Sequence, residues 1–358
     1  MKVVQVIDRL HLAGAQIMCG HLSVELKKSG SDVVVISLYS MHSAISELLN
    51  ENGIKVIYLN KKPGVDFSII GKLKKALREE APDIIHTHIG VFVYCALSAV
   101  GLKGKRWIHT VHTLAQREAP GIRGVVEKIC FRRRKAIPVA LSSVVQKTIA
   151  EKYKLEPTDI PIAFNGIDLS RCIPKKNYLI HDKFTIIHIG RFCKVKNHTG
   201  LIRAFDLFHS KYPDSQLCLI GRGELEQEVK AYVEKLGITN SVQFLDPQDN
   251  VYPFLNQSDV FTLPSFAEGI PMTIIEAMGT GLPIVATAVG GVPDMLENNV
   301  NALLCEVDAE KLAECFEKYY LDEKLRECHG KAALERSKAF SAEEMAEKYL
   351  NIYLKMFD

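Results

Sequence analysis

Nothing in the 358-residue sequence supplies a metal or disulfide framework: its nine cysteines are odd in number, scattered from Cys19 to Cys328, and never form a C-x-x-C pair. That pattern excludes a zinc ribbon and predicts reduced thiols in a cytoplasmic protein, most of them buried as small hydrophobes. Long apolar runs are also missing. The longest, 89–102, is too short to span a bilayer and reads as a buried helix. Asp8 and Arg9 break the first apolar stretch, so no secretory leader is expected. No basic segment is interleaved with an aromatic platform, which argues against nucleic-acid binding. With 47% hydrophobic and 24% charged residues the chain is not disordered, and its length accommodates two domains, each with its own core.

Apolar runs of strand length alternate with helical stretches, the rhythm of parallel sheets built from right-handed βαβ units. Strands are expected at 3–7, 33–38, 56–59, 84–88, 107–111 and 139–142, then at 185–189, 217–220, 242–245, 260–263, 284–286 and 302–305. The polar, proline-bearing stretch 170–183 between the two sets reads as a linker. This order implies an α/β protein of two Rossmann-like domains facing each other across a cleft, 1–170 and 171–340, followed by a terminal helix over 341–358. There Ser341 and Glu344 form a capping box, and Met345, Tyr349, Ile352, Tyr353 and Met356 recur at helical spacing. Ligands are expected beyond the carboxyl ends of the strands, where Gly14, His112, Arg191 and Glu268 fall.

The segment 265–279 carries two glutamates eight positions apart, Glu268 and Glu276, around a turn that leads into a short helix. Pro271 is expected at the first helical position, where its missing N–H and fixed φ are tolerated. The amides of Gly269, Ile270, Met272 and Thr273 then form an anion cradle at the positive end of the helix dipole. A phosphate held there leaves Glu268 to accept hydrogen bonds from sugar hydroxyls and Glu276 from ribose hydroxyls, since an ionised carboxylate is an acceptor-only partner. A second block, 186–198, is an apolar run ending in Gly190, Arg191, Lys194 and Lys196. Arg191 binds bidentately and Lys196 acts as a point charge, so the pair suits a departing diphosphate.

Taken together, these two blocks resemble the signature of glycosyltransferase family 4, within the GT-B fold, and in particular bacterial exopolysaccharide and capsular polysaccharide glycosyltransferases. The resemblance covers most of the chain. The turn from His11 to Gln16 is similar to the family's Gly-Gly-Ala-Glu turn, with Ala13 replacing the first glycine and Gln16 the glutamate, so that Gly14 is the residue carried over. Thr110 to Thr113 resembles the family's strand-end histidine at His112, and Phe164 to Asp168 its Asn-Gly-Ile-Asp turn. Pro264-Ser265 and Gly290 to Asp294 flank the carboxylate block as in that family. The terminal helix is implied to cross back to the first domain. No D-x-D motif is present, against a metal-clamped GT-A alternative.

Some features stand outside those blocks. Gly221 to Glu226 follows a strand as a dinucleotide fingerprint would, but Glu226 occupies the third glycine's place, and the two glycines serve either donor approach or a plain turn. Residues 1–170 hold 24 Lys and Arg against 15 Asp and Glu, and 171–358 hold 21 against 27, so the net +3 conceals a basic first half. Arg132, Arg133, Arg134 and Lys135 follow Val125, Val126, Ile129 and Cys130, which favours contact with an anionic membrane, extended by Lys61, Lys62, Lys72, Lys74 and Lys75. A solvated face is the alternative. His86 and His88 lack an evident third metal ligand.

The resemblance implies a retaining, metal-independent hexosyltransferase that needs no cofactor. It moves a sugar from a nucleotide-sugar donor, UDP-sugar in preference to GDP-mannose, to a saccharide or polyprenyl-linked acceptor in cell-surface polysaccharide synthesis, in the cytoplasm or on the inner face of the membrane. Glu268, Arg191, Lys196 and His112 are its expected catalytic set, and Gly14, Gly190, Gly269, Ile270, Pro271, Met272, Thr273 and Glu276 its expected donor contacts. A nucleotide-sugar epimerase or hydrolase on the same fold and a catalytically silent sugar-nucleotide-binding partner stay open as alternatives.

Overall fold

Each half of the chain is organised by six parallel strands. The structure, a computed structural model, describes residues 1–357 apart from Leu12, Lys103 and His181. Leu12 lies in the expected glycine turn and His181 in the expected linker, and both positions fall outside the described residues. The chain divides into two compact units, Met1–Ile167 with Ser341–Asp358, and Asp168–Phe340.

The first unit contains β1 (Lys2–Ile7), β2 (Asp32–Ser37), β3 (Lys55–Tyr58), β4 (Ile84–Thr87), β5 (Arg106–Val111) and β6 (Ile137–Ala140), hydrogen-bonded in the order β3-β2-β1-β4-β5-β6. The order reverses between β1 and β4, the switch point at which open α/β sheets bind ligands. Except for the edge strand β3, the strands are buried on both faces, as parallel sheets require. On β1, Val4 and Val6 enter one core, while Val3 and Ile7 enter the other, together with Met345, Tyr349 and Tyr353 of the terminal helix Ala342–Leu354. Ser341 caps that helix by accepting from the Glu344 amide at 3.1 Å, and the Ala342 amide donates to Ile167 O at 2.8 Å.

The second unit repeats the plan with β7 (Phe184–Ile189), β8 (Ser215–Ile220), β9 (Val242–Leu245), β10 (Val260–Leu263), β11 (Ile284–Thr287) and β12 (Leu303–Cys305), in the order β12-β11-β10-β7-β8-β9. Counted within the unit this is the same doubly wound order, with its reversal between β7 and β10. Phe205, Phe208 and Phe316 fill one face, each burial of this kind stabilising by roughly 1.5–3 kcal/mol.

Three expectations need correction. The stretch 170–183 is not a free linker but part of the second unit's packing. Cys172 and Tyr178 are buried, Lys175 Nζ donates to Asn256 O and Ser258 O at 3.0 and 2.6 Å, and Tyr178 Oη donates to Gly281 O at 2.9 Å. Its polar residues are spent on backbone carbonyls, which hydropathy does not reveal. The run 89–102 yields only the helix Phe92–Ser98, with Leu97 and Val100 exposed. Pro271 is the N-cap, in extended conformation, and the helix begins one residue later at Met272. The proline's carbonyl accepts the first turn's bond from the Ile274 amide at 3.1 Å.

Candidate active site

The switch point of the second unit brings the two sequence blocks together. His188, the penultimate residue of β7, shares its Nδ1 with Thr262 O of β10 at 2.9 Å and so ties the two strands where their connections diverge. Beyond β7 the chain turns through Gly190 into a single helical turn, Lys194–Lys196, and then Asn197, which is left-handed at φ 53° and caps the helix His198–His209. Asn197 Nδ2 donates to Pro264 O at 3.0 Å and the Phe266 amide to Val195 O at 2.8 Å. These two bonds lock the post-β7 loop to the post-β10 loop.

The result is an ion pair. Lys196 Nζ lies 2.7 Å from Glu268 Oε1, and Ser265 Oγ donates to the same oxygen at 2.6 Å. Both charged side chains are largely withdrawn from solvent, at 20% and 10% exposure, so the contact is screened far less than a surface pair. Gly190 has no room for a side chain, because a Cβ there would lie 2.9 Å from His188 Nε2. That nitrogen is buried without a partner. Burial holds His188 neutral and lowers the neighbouring His198 to about 4.

At the start of the helix Met272–Gly279, no described residue accepts a hydrogen bond from the amides of Gly269, Met272 or Thr273, and the buried Thr273 hydroxyl is likewise unpartnered. Three of the four amides of the expected cradle are thus available to an anion. Orphan donors at a helix N-terminus, beside a lysine, are suited to an anion. Glu276 lies one turn further on. Desolvation raises its carboxyl to about 7 against the opposing influence of Arg171. Arg171 stacks on the Tyr252 ring at 5.6 Å, which places a cation and an aromatic face beside this carboxyl.

Arg191 stands apart from this cluster. Its guanidinium is exposed and bonds Glu224 at 2.9 Å, so Lys196 and Arg191 do not converge on one point. Gly221 and Gly223 serve loop packing: a Cβ on Gly221 would lie 2.1 Å from Gly190 O, and one on Gly223 2.3 Å from Phe192 O. Close backbone packing within the protein is thus sufficient to require both glycines.

In the first unit, Gly14 opens the helix Gly14–Lys28 directly after the β1 loop, with Ala13 as its extended N-cap. Gln16 is buried and donates Nε2 to Asp8 Oδ1 at 3.2 Å. His112 follows β5. Its amide donates to Glu118 Oε2 at 2.6 Å and its Nε2 lies 3.0 Å from His88 Nδ1, while burial lowers its imidazole to about 4. His86 and His88 are spent on hydrogen bonds, and among the described residues no group of three potential ligands could hold a metal. The basic run ends the helix Ile122–Arg132, whose Ile122, Val125 and Ile129 are 79%, 55% and 47% exposed, while Val126 and Cys130 turn into the core. Among the described residues, no helix is long and apolar enough to cross a membrane.

Sequence reasoning missed the partners that hold Glu268. Ser265, in the flanking Pro264-Ser265 pair, donates to its carboxylate, and Gly290, in the other flank, packs on the Glu268 backbone. Its double glycine was the available signal.

Comparison with known proteins covers both units. Residues 12–171 match the family described as Glycosyltransferase Family 4, and residues 171–336 that described as Glycosyl transferases group 1. An uncharacterized glycosyltransferase of Haemophilus influenzae is 30% identical over 288 residues, 78% of this chain and 79% of that protein. N-acetyl-alpha-D-glucosaminyl L-malate synthase of Bacillus anthracis is 28% identical, covering 81% and 79%. The Escherichia coli UDP-Gal:alpha-D-GlcNAc-diphosphoundecaprenol alpha-1,3-galactosyltransferase is 26% identical, covering 68% and 67%. Among solved structures, Anabaena HepE in complex with UDP-glucose superposes with a TM-score of 0.84 at 18% identity, over 99% of this chain and all of that one. The fold is GT-B.

Proposed function

The chain belongs to glycosyltransferase family 4, and on that premise we propose that it transfers a hexose from a UDP-sugar to a saccharide or polyprenyl-linked acceptor with retention of anomeric configuration, in cell-surface polysaccharide synthesis. The observation that carries this reading is the withdrawn Lys196–Glu268 pair beside the unpartnered amides of Gly269, Met272 and Thr273. The distal phosphate of the donor takes those amides and Lys196. Glu268, its orientation fixed by Ser265, accepts from sugar hydroxyls, and Glu276 accepts from the ribose. Arg191 exchanges its contact with Glu224 for the diphosphate, a small change because both partners of that pair are exposed and screened by solvent.

In the reaction the bond between the sugar's anomeric carbon and the diphosphate oxygen breaks, and the acceptor oxygen attacks from the same face. The departing diphosphate takes the acceptor's proton, through an oxocarbenium-like transition state with no covalent enzyme intermediate. Charge growing on the leaving group is met by Lys196 and the helix-end amides, which are already oriented, and by Arg191 once it has left Glu224; such preorganised electrostatics is usually the largest catalytic term. These cations supply the charge a metal would otherwise bring, so the reading includes no metal and no cofactor. His112 is assigned a contact with the sugar on the family resemblance alone.

A lipid-linked acceptor is favoured by the exposed Ile122, Val125 and Ile129 beside Arg132, Arg133, Arg134 and Lys135, a pattern suited to an anionic membrane surface on the cytoplasmic side. The diphosphoundecaprenol named for the Escherichia coli relative is in keeping with it. The Bacillus anthracis relative, whose name joins a glucosaminyl group to L-malate, favours a second reading with a small hydroxy-acid acceptor.

Thermal-shift titration with UDP, GDP and their sugar conjugates, with and without magnesium, followed by transfer assays on the stabilising donor, tests the proposal. A metal-independent rise with the UDP series and product formation with a lipid-linked saccharide are expected, since a ligand bound only by the native state raises its melting point. Donor consumption without acceptor dependence would favour the epimerase or hydrolase alternative, and binding without any turnover the silent partner.

A further inference from the structure

A hydrogen-bonded file of side chains runs beneath His112 and determines which of its nitrogens carries the proton. Gln5, on β1, presents Oε1 to His88 Nε2 at 2.7 Å, and His88 Nδ1 lies 3.0 Å from His112 Nε2. An amide oxygen only accepts, so His88 carries its proton on Nε2. A neutral imidazole has one proton, which leaves His88 Nδ1 as an acceptor, and the contact with His112 then needs a proton on His112 Nε2. Both rings are neutral at physiological pH because burial opposes their charged forms. The one carboxylate beside the file, Glu118, accepts from the His112 and Thr113 amides and meets His109, and its charge favours a protonated His112 less strongly than burial opposes it; His86, 4.2 Å from the His88 ring, is itself engaged by Tyr353 and Thr110. Among the described residues none bonds His112 Nδ1.

We propose that Gln5 and His88 are positioning residues that hold His112 in its Nε2–H tautomer, so that His112 offers the sugar a hydrogen-bond acceptor at Nδ1 and selects a hydroxyl or amide donor there. The inference rests on the reading above, in which His112 contacts the sugar, but the tautomer itself does not depend on it. A lone pair aimed at the substrate rewards a sugar hydroxyl and repels a carboxylate or phosphate oxygen. Neither Gln5 nor His88 touches the substrate. Their effect travels through one proton.

Long-range 15N–1H correlation of histidine-labelled protein reads the tautomer directly. His112, assigned by comparison with His112→Asn, is expected to show a pyrrole-type Nε2 and a pyridine-type Nδ1. The reverse pattern, or a fast average of both, overturns the proposal. Gln5→Glu supplies the second arm. A carboxylate at that point favours a protonated His88, which donates from Nδ1 and drives His112 to the Nδ1–H form. Transfer efficiency should then fall roughly tenfold or more, the scale of one hydrogen bond made or lost, with UDP affinity unchanged. Rescue by Gln5→Asn with its shorter reach is not expected. If the tautomer switches as described and transfer kinetics stay at the wild-type level, the sugar contact of His112 fails while the relay stands; if wild-type His112 lacks the Nε2 proton, the relay fails while the transferase reading stands.

Discussion

Gly290 meets the backbone of Glu268 so closely that a Cβ built on it would lie 1.8 Å from the Glu268 carbonyl oxygen, and its φ of 55° lies in the left-handed region. The adjacent Gly291 amide donates to that same oxygen at 3.3 Å, and Thr287 Oγ1 donates to Ser265 O at 2.6 Å. The turn after β11 is therefore a clamp on the loop that carries the acidic side chain. Gly290→Ala should destabilise the protein by about 1 kcal/mol or more, the scale for alanine forced to positive φ. Activity should fall further than that loss explains, because Glu268 must move. Denaturant titration alongside transfer kinetics checks this; wild-type turnover in the variant would show that the loop tolerates displacement.

The Lys196–Glu268 pair separates charge from packing. Glu268→Gln keeps the shape and the Ser265 bond but leaves Lys196 without a counter-charge. Lys196→Met removes the cation and keeps the stem. Each should lower the transfer rate by roughly 10²-fold or more, as loss of one preorganised group at developing charge does, with circular dichroism and melting cooperativity retained. Ordinary turnover in either folded variant would remove this pair from the chemistry.

How far the sequence revealed this arrangement depends on how local each feature was. All twelve strands were visible, because buried parallel strands are short apolar runs bounded by polar turns. The glutamate pair was visible because its turn, helix and carboxylates lie within 15 consecutive residues. Partners distant in the chain were not. Glu268 meets Lys196 across 72 positions and Gln5 meets His88 across 83, and only the strand register brings them together. Arg191 groups with Lys196 in the sequence only because they are neighbours there. The chain between them turns through the helical turn Lys194–Lys196, and the two side chains meet different partners, a signal that is weak in composition.

Glu276 carries a pH dependence with a definite sign. Its carboxyl is raised from 4.5 to about 7 by desolvation, so between those values the folded protein binds more protons than the unfolded chain. Stability from this group is full below about 4.5 and is lost as pH rises toward 7. Glu276→Gln should remove that decline, leaving a flatter melting-temperature profile across the window. Nucleotide affinity should run the other way in the wild type, strengthening as pH passes 7 and the carboxylate becomes an acceptor for two ribose hydroxyls. In Glu276→Gln the affinity should be weaker by roughly tenfold and independent of pH in this range, on the scale of a charge-assisted hydrogen bond. Calorimetric titration with UDP at pH 6 and pH 8 separates the outcomes; an unchanged dissociation constant in the variant would count against the ribose contact.

The helix Ile122–Arg132 exposes apolar side chains on one side and leads at its C-terminus into the run Arg132 to Lys135, so the two features can be tested independently. Membrane attraction of this kind combines buried apolar area with about 1 kcal/mol per basic residue near an anionic surface, and the second contribution falls with salt. Sedimentation with vesicles containing phosphatidylglycerol should retain the protein at low ionic strength. Neutral vesicles should retain less, and raised salt should release most of it. Ile129→Glu should abolish retention on both vesicle types with little change in melting temperature, because Ile129 is nearly half exposed. Arg133→Glu with Arg134→Glu should remove only the dependence on anionic lipid. Equal retention of wild type and both variants would show that this helix is an ordinary solvated face, and the case for a lipid-linked acceptor would then lose its support from the protein's own surface.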